Sequence, residues 1–394
     1  MKNRVLKFLV VLCLILSGML GAWAFSFRNM TLDIVHISDT HITVDRDDTS
    51  YKALGSSSAL LRDAVEQINN IKGLDFVLHS GDMVDSATPE NYREFFTVLT
   101  KLKYPILNAF GNHDLAYGNM DKEEVLETIK DYNGNYRFDD TYYAFSPKTD
   151  YRIIVLDAVD TNLDTANGRL SAEQLNFLDK EIFENQDKVV VIVLHHPPVE
   201  PFRAAEHSLL NADEFNEILL KYKNPIVVLS GHYHAAKIRH FGNLVYVSTP
   251  STVTYPMAFR HIKITNFKDR VQYNFEIINT RLSDVKEQNR QSVISYGTLA
   301  GWEQDRNLSF TFYKKHPKSA KYKRNKIKKS AKAAKTKKSE LKKLTKQPKE
   351  KKVKEQKPKK EKVKKEKVTK EKKTRSFNFF KKKNKAVETE QSEI

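Results

Sequence analysis

Five short apolar segments of this chain each end in a block of aspartate, asparagine or histidine residues. The segments have the length and the branched side chains of buried β-strands. The polar blocks follow them at 39–41, 82–85, 112–114, 195–196 and 232–234. In sheets that alternate with helices, ligands bind outside the carboxyl ends of the strands. The pattern therefore predicts that all five blocks meet at one edge of an α/β fold.

The segments between and after these strands indicate the fold class. Apolar residues at 61, 64, 65, 68 and 71 share one helical face, and a second helical pattern covers 210–222. Beyond Leu229 the pattern is of strands alone, at 244–247, 261–264 and 271–278. Alternating strands and helices followed by antiparallel strands predict an α/β domain in which helices flank two packed sheets.

The net charge of +18 is divided unevenly along the chain. Residues 314–394 contain 35 Lys and Arg against 9 Asp and Glu, whereas residues 1–313 contain 32 against 40. Because the C-terminal segment lacks the apolar residues of a core, we expect a disordered Lys-rich tail. Its expected partner is an anionic surface, lipid or wall polymer. Nucleic acid is poorly supported, because aromatic residues that stack on bases are sparse there.

The first 27 residues have the layout of a signal peptide. A basic start precedes the apolar run 8–16, and Ala22-Trp23-Ala24 offers a small-residue cleavage pattern. An uncleaved membrane anchor is the alternative, because residues 8–27 carry no charge and about 20 apolar residues span a bilayer. Either way we expect export, as a protein secreted or attached to the outer face of the cytoplasmic membrane. Cys13 is the single cysteine, which excludes a disulfide scaffold.

These features predict four regions along the chain. They are a leader at 1–27, one domain at 28–282, a C-terminal extension at 283–313 that could dock on the domain, and the tail at 314–394. The domain holds all five polar blocks. We therefore assign the chemistry to residues 28–282 and the location of the protein to its two ends.

The residue types in the polar blocks are those that bind metals. Asp39 and His41 are two residues apart, as are His232 and His234, and alternation places each pair on one side of an extended segment. Carboxylate, amide and imidazole ligands together suit Mn, Fe or Zn. The blocks therefore predict a site for divalent metal.

Taken in order, the five blocks resemble the calcineurin-like metallophosphoesterases. Gly111-Asn112-His113-Asp114, His195-His196-Pro197-Pro198 and Gly231-His232-x-His234 are similar to the family's cyclic-nucleotide and glycerophosphodiester phosphodiesterase branch. The match spans roughly 31–278. It implies a four-layer αββα sandwich of two mixed β-sheets, and a hydrolase that attacks phosphate esters with a hydroxide bridging two divalent ions.

The same resemblance implies a role for each site residue. One ion would be held by Asp39, His41, Asp82 and His234, and the other by Asp82, Asn112, His195 and His232. Asp82 would thus bridge both ions. His113 would be the proton donor or transition-state stabiliser, with Asp114 fixing its tautomer and raising its pKa. Asp85 would support the ligands from outside the metal shell. His196, which does not match a family ligand, would support packing or the ligands from outside that shell.

The substrate class follows from two departures from the protein phosphatases of this superfamily. The arginines that those enzymes place after the second block and before the third are replaced here by Ser86-Ala87 and Phe110. A dianionic monoester would lack its arginine clamp, so we expect a phosphodiesterase. A phosphomonoesterase of the same fold is the alternative, with Arg93 or Arg203 reaching the site. The other alternative is a surface-binding scaffold that uses the basic tail.

Overall fold

The computed structural model describes residues 30–314 apart from residues 116, 117 and 164. The predicted leader and almost all of the predicted tail lie outside these residues. The strands of the described part are β1 (Thr31–Ile37), β2 (Phe76–His79), β3 (Ile106–Asn108), β4 (Tyr143–Phe145), β5 (Tyr151–Val155), β6 (Val189–Val193), β7 (Ile226–Ser230), β8 (Lys237–Phe241), β9 (Leu244–Ser248), β10 (Ala258–Asn266), β11 (Arg270–Asn279) and β12 (Leu308–Tyr313).

Helices connect most of these strands. They are α1 (Ser57–Asn70), α2 (Pro89–Leu99), α3 (Lys122–Tyr132), α4 (Ala172–Glu184), α5 (Ala212–Lys221), α6 (Ser283–Ser292), α7 (Tyr296–Ala300) and α8 (Glu303–Arg306). Several begin with a side-chain cap, as where Ser171 accepts a hydrogen bond from the backbone N–H of Gln174. Within the described ranges, no helix is both long and apolar enough to cross a membrane.

The strands form two six-stranded sheets. The first has the order β12-β11-β10-β1-β2-β3 and the second β4-β5-β6-β7-β9-β8. Both sheets are mixed: β1 pairs in parallel with β2 but antiparallel with β10, and β9 pairs in parallel with β7 but antiparallel with β8. The predicted α/β architecture of two mixed sheets flanked by helices is confirmed.

Alternation along the central strands builds the core between the layers. In β6, Val189, Val191 and Val193 face the larger apolar cluster, which also takes in residues of β1 and β2 from the first sheet. The residues between them face a second cluster that contains Leu178 of α4 and Phe215 of α5. Both faces of β6 are therefore buried, as expected of a central parallel strand covered on each side.

The polar blocks at the carboxyl ends of five strands converge on one place. Strands β1, β2 and β3 run parallel in the first sheet, and β6 and β7 run parallel in the second. The blocks at 39–41, 82–85, 112–114, 195–196 and 232–234 follow these strands in that order. The site therefore forms at the seam where the carboxyl ends of both sheets meet.

Residues 283–313 add to the first sheet. Strand β12 pairs antiparallel with β11 over six residues and forms one edge of that sheet. The preceding helix α8 is held by Asp305, which accepts hydrogen bonds from Lys237 Nζ (2.8 Å) and from the backbone N–H of Ile238 (3.3 Å). Arg260 is fully buried and donates to the carbonyls of Asp305 (2.6 Å) and Arg306 (2.9 Å).

Candidate metal centre

The loops after the five strands hold several site residues in an unusual backbone conformation. Seven non-glycine residues of the described part have a positive φ, and five of them are predicted metal ligands. These five are Asp39 (52°), His41 (41°), Asp82 (55°), His232 (69°) and His234 (52°). Such a residue costs about 1–3 kcal/mol and persists where the surrounding structure imposes it, often at functional sites. Strain is thus concentrated at the predicted centre.

Asp82 lies between two histidines that face it with the same nitrogen. Its Oδ2 atom is 3.2 Å from His195 Nε2 and 3.5 Å from His41 Nε2. The Nδ1 atom of His195 is 2.8 Å from the carbonyl of Ser80, so Nδ1 carries the hydrogen. In the neutral ring, a bare Nε2 then faces a carboxylate oxygen. A cation between the two atoms would turn this repulsion into coordination.

His41 repeats this arrangement on the other side of Asp82. Its Nδ1 atom lies 3.2 Å from Asp85 Oδ1, which can only accept, and 3.2 Å from Lys52 Nζ, which can only donate. In the tautomer that donates to Asp85, the bare Nε2 faces Asp82. His234 Nε2 lies 3.1 Å from His41 Nε2 and 3.3 Å from Asp39 Oδ1. Asp39, His41, Asp82 and His234 therefore form one buried group whose ligand atoms could hold a metal ion.

A second buried group shares Asp82 with the first. It consists of Asp82, His195 and His232, with His232 Nδ1 3.1 Å from His195 Nε2. Asn112 lines the same cavity, and its buried Oδ1 atom has no hydrogen-bond partner. A buried amide oxygen without a partner is costly, and a metal ion would satisfy it. The residues present thus fit a pair of ions joined through Asp82.

The buried carboxylates of the centre also favour a bound cation. Burial disfavours the ionised form of Asp39, but His234 and His195 outweigh it and keep the pKa of Asp39 below its ordinary value. Burial lowers the pKa of His195, yet Asp82 overcomes this and raises it to about 9, so either a proton or a metal ion has to stand between the two groups. In the described part, the ion pairs of both carboxylates are with histidines. Buried carboxylates need a compensating positive charge, which divalent ions provide.

Two glycines let the loops approach the carboxylates closely. A Cβ atom at Gly231 would collide with Ser38 Oγ and Asp39 Oδ2, and one at Gly111 would collide with Asp82. Both positions therefore require the absence of a side chain.

The structure gives the Asp114 carboxylate backbone N–H partners, while Nδ1 of His113, which Asp114 was predicted to orient, faces the carbonyl of Asp85. Asp114 Oδ2 accepts hydrogen bonds from the backbone N–H groups of Asp82 (2.9 Å) and Gly111 (2.8 Å), and Oδ1 accepts from Met83 (2.7 Å) and Val84 (3.3 Å). Burial and the charge of Asp82 raise the pKa of Asp114, and the hydrogen bonds from the backbone of Gly111 and Val84 act in the opposite direction. Asp114 thus holds the loop that carries Asp82, because the turn at 112–114 aims its side chain inward.

Asp85 performs the orientation that was predicted for Asp114. His113 Nδ1 lies 2.8 Å from the backbone carbonyl of Asp85, which fixes the hydrogen on Nδ1. Burial lowers the pKa of His113, the opposite of the predicted direction. The Asp85 carboxylate lies 3.2 Å from His41 Nδ1. Asp85 therefore orients one histidine with its side chain and another with its main chain.

His196 lies behind His232. The two ring centroids are 4.3 Å apart, and His196 Nε2 lies 3.1 Å from the carbonyl of Ala166, to which it donates. Burial and the neighbouring His195 lower the pKa of His196 to about 3, so it is neutral. Its contacts are those of a residue that supports His232, and the two candidate groups built on Asp82 do not include it.

Two residues at the centre carried no signal in the sequence. Lys52 lies in the irregular loop after β1, and its Nζ atom is 2.9 Å from Asp85 Oδ1 and 3.3 Å from His113 Nε2. Thr254 lies 2.8 Å from His234 Nδ1 and orients that ring. Neither residue belongs to a polar block at a strand end. The side chains of Arg93 and Arg203, expected as alternative cations, do not line the cavity.

A cavity of about 600 Å³ opens over the centre. Its polar lining includes Asp82, Asn112, His113 and His232. Its apolar and aromatic lining includes Leu163, Phe202 and Tyr233, with the last two rings in edge-to-face contact at 5.1 Å. The space can thus hold a polar reacting group together with an apolar or aromatic substituent.

The geometry agrees with a comparison against known families. The family model of the calcineurin-like phosphoesterases matches residues 32–236, which contain all eleven predicted site residues. The chain belongs to the calcineurin-like phosphoesterase family. This calcineurin-like phosphoesterase is therefore a hydrolase of phosphoric esters, and its buried Asp and His side chains are placed to bind metal ions.

Curated relatives of this phosphoesterase carry phosphodiesterase names. A Fibrobacter succinogenes protein named "Probable cyclic nucleotide phosphodiesterase" is 30% identical over 232 residues, covering 56% of this chain and 80% of the relative. An Arcobacter nitrofigilis protein named "Probable glycerophosphodiester phosphodiesterase GpdQ" is 25% identical over 222 residues, covering 55% of this chain and 77% of the relative.

Among solved structures, a dimetal phosphatase from Danio rerio has a similar fold. It superposes with a TM-score of 0.55 at 17% sequence identity, covering 71% of this chain and 99% of that structure. At this identity the likeness concerns the fold alone.

Proposed function

We propose that this calcineurin-like phosphoesterase is a phosphodiesterase that uses two divalent ions, Mn, Fe or Zn, bridged by Asp82. The observation that carries the proposal is the position of Asp82 Oδ2, which faces the Nε2 atoms of His195 and His41 on either side. A carboxylate that serves two sets of nitrogen ligands is the geometry of a two-metal site.

Different residues of the chain would hold the ions and orient the ligands. Asp39, His41, Asp82 and His234 would hold one ion, and Asp82, Asn112, His195 and His232 the other. When bound, such ions lower the pKa of water and neutralise charge on phosphate oxygens. Asp85 keeps His41 in the tautomer that leaves Nε2 bare, and Ser80 does the same for His195. His113 lines the cavity beside Asp82, where it can contact the phosphoryl group.

Three observations support a diester over a monoester. The cavity has room for a second ester substituent, which a monoester lacks, and apolar residues among its lining. Among the described residues that line it, there is no arginine to clamp a dianion in two places. The relatives from Fibrobacter and Arcobacter are both named as phosphodiesterases.

A paired assay tests the proposal. The full-length protein with Mn²⁺ is given bis(p-nitrophenyl) phosphate and p-nitrophenyl phosphate in parallel. We expect kcat/KM for the diester to be at least about tenfold higher, equivalent to 1.4 kcal/mol in the barrier. An equal or higher value for the monoester would favour the phosphomonoesterase alternative and refute the phosphodiesterase proposal.

The location is proposed from the two ends of the chain. The apolar leader supports export or anchoring at the membrane, and the tail carries a net charge of +26, which supports contact with an anionic surface. Binding of the full-length protein to vesicles with and without phosphatidylglycerol tests the tail. We expect the extra binding to anionic vesicles to disappear at high salt. Equal binding to both vesicles at low salt would refute the electrostatic contact.

A further inference from the structure

The ammonium group of Lys52 lies among three side chains at the centre. Its Nζ atom is 2.9 Å from Asp85 Oδ1, 3.2 Å from His41 Nδ1 and 3.3 Å from His113 Nε2. The ligand atoms of Asp85, His41 and His113 lie close enough together to hold a cation. Lys52 supplies a positive charge at that position from within the chain. Its side chain is 13% exposed, on the side of the cavity.

The hydrogen-bond roles of these neighbours leave Lys52 a donor for a ligand. Asp85 Oδ1 accepts one N–H of the ammonium group. His113 carries its hydrogen on Nδ1, facing the Asp85 carbonyl, so the neutral ring accepts a second N–H at Nε2. His41 Nδ1 lies 3.2 Å from both Lys52 Nζ and Asp85 Oδ1. In the tautomer that leaves Nε2 bare towards Asp82, Nδ1 carries the hydrogen, donates to Asp85 and does not accept from Lys52. An ammonium group has three N–H donors, so the third can serve a group in the cavity.

The charges around Asp85 favour an anion at this position. Arg46 Nη1 lies 2.9 Å from Asp85 Oδ2, while Lys52 pairs with Oδ1. One carboxylate therefore compensates two cations, and the group of three carries a net charge of +1. The Arg46 side chain is 44% exposed and does not line the cavity over the centre, whereas Lys52 does. Of the two cations, Lys52 is thus the one that a ligand in the cavity over the centre can reach.

The loop that carries Lys52 is held in place on both sides. The N–H of Lys52 donates to Thr49 Oγ1 at 2.8 Å, and the N–H of Ala53 donates to the carbonyl of Val253 at 2.8 Å. The Asn289 amide of α6 donates to the carbonyl of Tyr51 at 3.2 Å. A lysine side chain loses much rotamer freedom when it binds, and a fixed backbone reduces what remains to be ordered.

We propose that Lys52 binds a non-bridging phosphoryl oxygen of the substrate, next to His113. The proposal rests on the proposed phosphoesterase function of the same site. Among the described residues that line the cavity, Lys52 is the one lysine or arginine. A single ammonium group can contact one oxygen of the singly charged diester, and this differs from the bidentate grip that arginine gives a dianion.

The test compares Lys52→Met, Lys52→Arg and the matched control Arg46→Met in the full-length protein with Mn²⁺. Each variant is titrated with inorganic phosphate in a calorimeter, and kcat and KM are measured for bis(p-nitrophenyl) phosphate. A hydrogen bond to a charged group corresponds to about 10- to 100-fold in affinity. We expect Lys52→Met to weaken phosphate binding by that factor and to lower kcat/KM in parallel. Lys52→Arg should recover most of the loss, and Arg46→Met should stay within about threefold of the wild type.

Two results would overturn the proposal. The first is phosphate binding by Lys52→Met equal to that of the wild type. The second is an equal loss in Arg46→Met, because the lysine would then act only by compensating Asp85. Phosphate binding decides the role of Lys52 even if the wild-type protein turns over no diester. Absence of turnover would refute the proposed function by itself.

Discussion

The carboxylate of Asp114 accepts a hydrogen bond from the backbone N–H of Asp82 at 2.9 Å. Three further backbone N–H groups, of Met83, Val84 and Gly111, point at the same carboxylate. Asp82 has a positive φ of 55°, so its loop needs such support. Asp114 therefore stabilises the conformation that presents the shared ligand.

Asp114→Asn should destabilise this loop. One amide oxygen and one NH₂ group would replace two acceptors, so at least one backbone N–H group would face a donor. We expect the free energy of unfolding to fall by about 2–4 kcal/mol, measured by urea denaturation. We also expect weaker metal binding. A variant with normal stability and normal metal content but lower kcat would instead support the original assignment of Asp114 as a partner of His113.

Chelation should destabilise the domain. Asp39 and Asp82 are buried with only histidine partners in the described part, so a bound cation stabilises the native state. At a free metal concentration of about 100 times Kd, the contribution is about 2.7 kcal/mol. For a domain of this size, that is roughly 5–10 °C in Tm. Differential scanning fluorimetry with EDTA, then with excess Mn²⁺, measures it. An unchanged Tm in both conditions would contradict a stable metal centre.

Gly231→Ala should disrupt the centre without a change in any ligand. The added methyl group would collide with Ser38 Oγ and Asp39 Oδ2. Because Asp39 also accepts from the backbone N–H of His232 at 3.1 Å, the collision would separate two ligand loops. We expect metal affinity to fall at least about tenfold, as for loss of ligand support. Gly134→Ala is a matched control, because nothing lies within 4 Å of a Cβ atom there. Equal metal affinity in both variants would contradict the close approach.

Asp63 should make stability depend on acid pH away from the centre. Its carboxylate accepts from Thr280 Oγ1 (2.7 Å), from the backbone N–H of Arg281 (2.8 Å) and from Arg281 Nε (2.6 Å). Burial would raise its pKa, but these hydrogen bonds outweigh burial and lower it. A carboxyl group with a lowered pKa stabilises the folded state above its unfolded pKa of about 4, and the effect is lost as the pH falls through the folded value.

We therefore expect wild type to be more stable than Asp63→Asn at pH 7, and the difference to shrink below about pH 4. Urea denaturation of both proteins at pH 7 and pH 3 measures this difference in the free energy of unfolding. A difference that grows toward low pH would show that the sign is wrong.

The convergence of the site could be predicted from the sequence because it follows from strand geometry. The polar blocks at Asp39, Asp82, Asn112, His195 and His232 each end an apolar strand, and parallel strands bring such ends together. The meeting of the strand ends does not depend on the conformation of the loops, so the sequence pattern is sufficient to predict the site.

The contacts of Asp114 and Lys52 could not be predicted in this way. The direction of the Asp114 side chain depends on the short 3₁₀ turn at Asn112–Asp114. Lys52 reaches the centre through a long side chain from an irregular loop, where no periodicity constrains its position. The sequence analysis also did not predict strand β12, although Leu308, Phe310 and Phe312 alternate with polar residues and pack on the core. Its pairing with β11 depends on the docking of the preceding helices.

The metal content of Asp82→Asn tests the central claim most directly. Only Asp82 lies in both groups of candidate ligands built on it, so its loss should affect both ions. Asp63→Asn is the control, because Asp63 is a buried carboxylate bound to Arg281 away from the centre. Mass spectrometry of the purified, Mn²⁺-loaded proteins should give two ions per chain for wild type and the control, and fewer than one for Asp82→Asn. Two ions retained in Asp82→Asn, or none in the wild type, would contradict a metal centre bridged by Asp82.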